Sequence, residues 1–86
     1  MISPRERQLA EGLENYLIGI QKAKQFSIGL LKWEERLLRM NEKEVRMTAK
    51  KIAAKVERYF KQREIVGIKA SPEEIQQALK SELSSL

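Results

Sequence analysis

Seven cationic side chains recur between residues 43 and 61, within the stretch from Asn41 to Val66. They are Lys43, Arg46, Lys50, Lys51, Lys55, Arg58 and Lys61. Lysine and arginine bind phosphate oxygens through charge-assisted hydrogen bonds, and cations repeated along a rod match the charges of a polyanion. The chemistry that this pattern indicates is phosphate binding. The alternative is a solvated surface, in which the lysines keep the chain in solution and their stems cover apolar neighbours.

A single helix over residues 42–66 would position these cations. Asn41 is a suitable N-cap, and Glu44 stands three residues later, which is the spacing of a capping box. Apolar residues then recur at three- and four-residue steps and fall within an arc of roughly 140°. They are Val45, Ala49, Ile52, Ala53, Val56, Tyr59 and Phe60. We predict that this arc faces a core and that the cations face solvent.

The first part of the chain has two interpretations. Ser3-Pro4-Arg5-Glu6 is a helix start, and two seven-residue series follow it. One series is Leu9, Tyr16, Ala23, Leu30 and Leu37, and its companion is Gly12, Gly19, Phe26, Trp33 and Met40. Either one continuous or kinked helix covers residues 4–40, or the helix breaks near residues 25–29. In the second case Ser27 would cap a helix over residues 28–40.

The continuous helix would leave apolar surface uncovered. At 1.5 Å per residue it would be about 55 Å long, whereas a compact chain of this size has a diameter of only about 24 Å. We therefore expect a homo-oligomer with Phe26, Leu30, Trp33 and Leu37 at its interface. For Trp33 alone, stacking on a nucleic-acid base is an alternative role.

The last part of the chain predicts a short acidic helix. Gly67 is a natural helix stop, and Ser71-Pro72-Glu73-Glu74 begins a helix over residues 72–84. Net charge is +2 over residues 1–40, +5 over 41–69 and −2 over 70–86. We expect the final helix to dock on the basic part of the chain. A free partner-binding segment is the alternative.

Composition excludes several kinds of chemistry. The chain has 17 lysines and arginines against 12 acids, and it contains neither cysteine nor histidine. Zinc sites built on those ligands, thiolate chemistry and histidine-based catalysis are therefore excluded. The adjacent acids Glu34-Glu35 and Glu73-Glu74 point about 100° apart on a helix and form no catalytic pair. We expect no enzyme, no cofactor and no metal.

The segment Thr48–Val56 resembles the first helix of a helix-turn-helix. Residues 57–60 continue the helical pattern where the turn of that motif would stand, so we do not expect the motif.

No window reaches the roughly 18 apolar residues that span a bilayer, and no signal peptide is visible. We expect a cytoplasmic protein that does not insert into membranes.

These observations predict a single all-α domain over residues 1–86. A helical hairpin, residues 4–40 against 42–66, forms its main part, and the helix over 72–84 completes a small bundle. The function we expect is non-enzymatic nucleic-acid binding through the basic helix side. The alternative is a protein-interaction adaptor or assembly scaffold that uses the long first helix and the final helix.

Overall fold

Four α-helices make up the part of the chain that the computed structural model describes, residues 2–86. They are α1 (Pro4–Lys24), α2 (Lys32–Leu38), α3 (Glu42–Ile65) and α4 (Pro72–Ser84). No strand occurs among these residues. The predicted all-α bundle is confirmed.

Side-chain caps set the starts of α1, α3 and α4. Ser3, Asn41 and Ser71 each accept a hydrogen bond from the backbone N–H three residues later, at 3.1, 2.8 and 3.2 Å. The carboxylates of Glu44 and Glu74 accept in return from the N-cap backbone N–H, at 3.0 and 3.3 Å. These bonds satisfy donors that a helix start leaves open, so the predicted helix starts are confirmed.

The helix over residues 4–40 is broken. It ends at Lys24, and a turn follows in which Gly29 adopts a φ of +76°, a conformation that glycine alone adopts readily. The continuous or kinked helix is therefore wrong, and the break near residues 25–29 is confirmed. The second helix begins at Lys32 rather than Ile28, because Leu31 rather than Ser27 is its N-cap.

The two long helices pack antiparallel. Arg5 near the start of α1 contacts Glu57 and Glu64 in the second half of α3, whereas Glu14 contacts Arg46 near its start. The helix α2 packs on the end of α1, and α4 packs on α3. The shared core is formed by Leu13, Leu17, Leu37, Val45, Ala49, Ile52, Val56, Phe60 and Leu83.

Two connections hold the shorter helices in place. The Gln21 side-chain amide donates hydrogen bonds to the carbonyls of Leu37 and Met40 at 2.8 and 3.0 Å, which ties the α2–α3 corner to α1. After α3, Gly67 adopts a φ of +87° and lets the chain turn back. Leu83 of α4 packs into the core and is only 3% exposed. The final helix docks on the bundle, as we expected.

Candidate nucleic-acid interface

The helix α3 has one buried side and one charged side. The predicted apolar arc is buried from Val45 to Phe60 except for Tyr59, which is 52% exposed, so the assignment of Tyr59 to the core is wrong. All seven predicted cations are exposed. The core and the cations therefore lie on opposite sides of the helix. This is the arrangement that the apolar periodicity predicts.

Five of the seven cations form no ion pair with any residue of the described range 2–86. We call them the basic face: Lys43, Lys50, Lys51, Arg58 and Lys61. At 100° and 1.5 Å per residue they fall within an arc of roughly 100° and extend over about 27 Å of the helix. An extended polyanion could therefore contact several of them at once.

The other two cations lie at the edges of this face. The guanidinium of Arg46 pairs with Glu14 of α1 at 2.9 Å and with Glu42 at 2.6 Å. The ammonium of Lys55 pairs with Glu82 of α4 at 2.7 Å. Both cations remain mostly exposed, and exposed ion pairs contribute little free energy, so a phosphate could replace these carboxylates.

Arg5 pairs with the two acids in the second half of α3. Its guanidinium donates hydrogen bonds of 2.9 Å to both carboxylate oxygens of Glu57 and one of 2.9 Å to Glu64. These hydrogen bonds from Arg5 lower the pKa of both carboxyl groups and raise the pKa of Arg5. The acids therefore stay ionised, and the single positive charge of Arg5 offsets one of their two negative charges. Nothing in the local sequence signals this pairing, since Arg5 and Glu57 are 52 residues apart.

Glu34 is a buried acid with a structural role. Its carboxylate pairs with Lys24 at the end of α1 and accepts a hydrogen bond from the Leu31 backbone at 2.9 Å. The hydrogen bond from Lys24 is the main reason that the pKa of Glu34 is lowered. Because both of its partners flank the break, Glu34 fixes α2 against α1 and is not part of a binding surface.

The four residues predicted at an oligomer interface have different surroundings. Leu37 is fully buried in the core of its own chain, and Trp33 is partly buried against that core. The assignment of Leu37 to an interface is therefore wrong, because the break turns α2 back onto α1. Phe26 is 89% exposed, while Leu30 is partly exposed.

Sequence reasoning did not single out Ile28, a neighbour of Phe26. Ile28 is 98% exposed and Leu31 is 60% exposed, and both lie in the turn between α1 and α2. We call Phe26, Ile28 and Leu31 the apolar loop. Three large apolar side chains in solvent within six residues are unusual for a monomer and mark a surface that can contact a partner.

A second apolar surface is an open groove of about 350 Å³ between α1 and α4. Leu9, Leu13 and Tyr16 line one wall, and Leu79 and Leu83 line the other.

Within the described range no cluster of acids could hold a metal ion. Over the same residues, no helix is long and apolar enough to cross a bilayer.

Compared with family models, curated proteins and solved structures, the chain matches none of them. Its fold and surface define the class of a small all-α protein with an exposed basic helix. Its function must be inferred from its own residues.

Proposed function

We propose that this chain is a non-enzymatic protein that binds nucleic acid through the basic face of α3. The observation that carries this proposal is the separation of charge around that helix. Five cations face solvent without an ion pair in residues 2–86, while the acids of α3 form their hydrogen bonds with other groups. Glu42 pairs with Arg46, Glu44 caps the helix, and Glu57 and Glu64 bind Arg5.

Binding would use point charges on phosphate oxygens. Each lysine or arginine that neutralises a phosphate releases a counterion, so affinity falls as salt rises. Five contacts predict a slope of about −4.5 for the logarithm of affinity against the logarithm of salt concentration. Contacts of this kind position a protein on the backbone and carry little sequence information.

The protein would act in the cytoplasm, a reducing compartment that suits a chain without cysteine.

The triple replacement Lys50→Gln, Lys51→Gln and Arg58→Gln tests this proposal. Glutamine keeps the helix propensity, and the three positions are exposed, so the fold should be retained. We expect the triple variant to bind DNA and RNA more weakly, with a salt slope smaller by about three, one for each lost contact. Fluorescence anisotropy at several salt concentrations measures both quantities.

The matched control removes three other exposed lysines. Lys22→Gln, Lys32→Gln and Lys80→Gln change the net charge equally but lie on α1, α2 and α4. We expect this control variant to keep most of the wild-type salt slope. Absence of binding by the wild type at low salt would overturn the proposal, and so would an equal loss in the two triple variants.

The apolar loop favours a second candidate function, an adaptor or assembly scaffold. Phe26 and Ile28 are almost fully exposed, which a protein that binds only phosphates does not require. In this alternative a protein partner, most simply a second copy, covers the loop, and the lysines serve only solvation. The replacement Phe26→Ser with Ile28→Ser would then abolish assembly, while the basic-face variant would behave as wild type.

A further inference from the structure

Two apolar side chains divide the basic face lengthwise. Met47 and Ala54 lie within roughly 20° of each other around the helix axis, at the centre of the exposed arc. Met47 is 51% exposed and Ala54 is half-buried. We call these two residues the apolar row.

The five cations form two flanks beside the apolar row. One flank contains Lys43, Lys50 and Lys61, and the opposite flank contains Lys51 and Arg58. Each cation is displaced from the row by roughly 30–50° around the helix. The basic face therefore has a charged side, an apolar centre and a second charged side.

The neighbouring helices leave this arrangement accessible. Arg46 marks the edge toward α1 through Glu14, and Lys55 marks the edge toward α4 through Glu82. Around the axis of α3 these two edges are about 180° apart, with the apolar row midway between them. The row therefore lies on the side of α3 that points away from α1 and α4.

We infer that α3 enters the major groove of duplex DNA, with the apolar row toward the base edges. This inference rests on the proposed function and specifies its ligand. A major groove is about 12 Å wide and accommodates an α-helix of about 10–12 Å diameter. Its two walls are phosphate strands, which match the two cationic flanks. Its floor carries thymine methyl groups, which Met47 and Ala54 can contact.

Other nucleic acids fit these residues less well. The major groove of A-form RNA is deep and too narrow for a protein element to enter. Proteins that bind single strands stack bases on aromatic side chains, and none lies within the basic face. The nearest, Tyr59, lies roughly 120° from the apolar row around the axis. Its ring packs edge-on against Phe60 at 5.0 Å and under the guanidinium of Arg63 at 5.6 Å.

The first test compares three probes of one sequence and about 20 nucleotides, which is two turns of duplex. They are duplex DNA, duplex RNA and single-stranded DNA, each titrated against the wild type at the same salt concentration. We expect duplex DNA to bind at least about tenfold more tightly than the other two. Equal or weaker binding of duplex DNA overturns the inference while leaving the proposed function intact. Failure of all three probes to bind at low salt overturns the proposed function as well.

The second test locates the groove. Duplex DNA with glucosylated hydroxymethylcytosine carries bulky groups in the major groove, and we expect it to bind at least about tenfold more weakly. Netropsin, which fills the minor groove, should leave the affinity within about twofold. The opposite result, competition by netropsin and no effect of glucosylation, overturns the inference.

A pair of variants tests the apolar row itself. Met47→Glu places a carboxylate at the centre of the face, whereas Gln62→Glu makes the same charge change at an exposed position beside it. We expect Met47→Glu to weaken duplex binding about tenfold and Gln62→Glu less than about threefold, since only Met47 faces the groove floor. Thermal melts monitored by circular dichroism establish that both variants are folded. Equal losses in the two folded variants overturn the inference.

Discussion

Arg5 is the residue that connects the stability of the bundle to the charge of its basic face. It joins α1 to α3 through Glu57, which is only 6% exposed, and through Glu64. A buried carboxylate without a partner is costly, because water cannot solvate it. The same pairing offsets one of the two negative charges on the side of α3 that borders the basic face.

The replacement Arg5→Gln should therefore have two effects. We expect the free energy of unfolding to fall by about 1–3 kcal/mol, the usual loss when a charged hydrogen-bond partner is removed from a largely buried group. We also expect weaker nucleic-acid binding, since the positive charge that partly offsets Glu57 and Glu64 is lost. Urea unfolding and anisotropy titration measure these effects. The control is Arg7→Gln on the same helix, because Arg7 is exposed and forms no ion pair within residues 2–86.

The pH dependence of this effect follows from the lowered pKa values. Folding lowers the pKa of Glu57 and Glu64 below the ordinary 4.5, so the unfolded chain binds protons first as pH falls. The stabilisation is complete at neutral pH and is lost as pH falls below 4.5 through the folded-state values. Acid unfolding of Arg5→Gln should be shallower than that of the wild type. Similar stability and similar acid unfolding of the Arg5 and Arg7 variants would contradict the prediction.

At the scale of the helices, the sequence could predict the features that depend on interactions between residues close together in the chain. Asn41 and Ser71 bond to neighbours three residues away, so the starts of α3 and α4 were readable from spacing alone. The break after Lys24 was only one of two alternatives, because both seven-residue series run through it without interruption. The broken form is held by the packing of Leu37 and the pairing of Glu34 with Lys24, contacts that form only after the chain folds back.

In the candidate site, too, local features were predictable from the sequence and tertiary contacts were not. Periodicity predicted that Lys50, Lys51 and Arg58 are exposed together, because residues on one helix have fixed angles to each other. It could not distinguish them from Arg46 and Lys55, whose acidic partners come from α1 and α4. Which cations are available for a ligand is a property of tertiary structure.

The docking of α4 is a prediction at this scale. Leu83 is its one fully buried side chain, so Leu83→Ala should destabilise the bundle by about 2–4 kcal/mol through lost burial and a residual cavity. We expect amide exchange over residues 72–84 to accelerate more than over α3, because the loss is local to α4. The control Gln77→Ala changes an exposed position of the same helix. Equal exchange in the two variants would show that Leu83 does not hold α4.

At the scale of the whole molecule, the bundle is elongated, with extents of 45, 25 and 16 Å. The basic face runs along α3, whereas the apolar loop follows the C-terminal end of α1. The expectation of an oligomer depended on a long continuous helix with a wide uncovered stripe. With that helix broken and Leu37 in the core, Phe26 is the only exposed residue of the four predicted at the interface, and it belongs to the apolar loop.

Self-association through the apolar loop should consequently be weak. Stable interfaces bury about 1,200–2,000 Å² in total, and three side chains from each copy supply only a fraction of that area. We expect sedimentation to give the 10.0 kDa monomer at low micromolar concentration and a rising average mass toward millimolar concentration. Phe26→Ser with Ile28→Ser should remain monomeric throughout and should melt at the wild-type temperature, because both side chains are exposed.

The other end of the bundle supplies the matched control for this last prediction. Ile65 and Val66 at the end of α3 are 80% and 71% exposed, so Ile65→Ser with Val66→Ser removes comparable apolar surface. We expect that variant to associate as the wild type does, since the predicted contact lies in the loop. If the loop variant associates like the wild type and the control does not, copies meet through the end of α3. In that case the exposed loop is available to a different protein, and the adaptor function gains support.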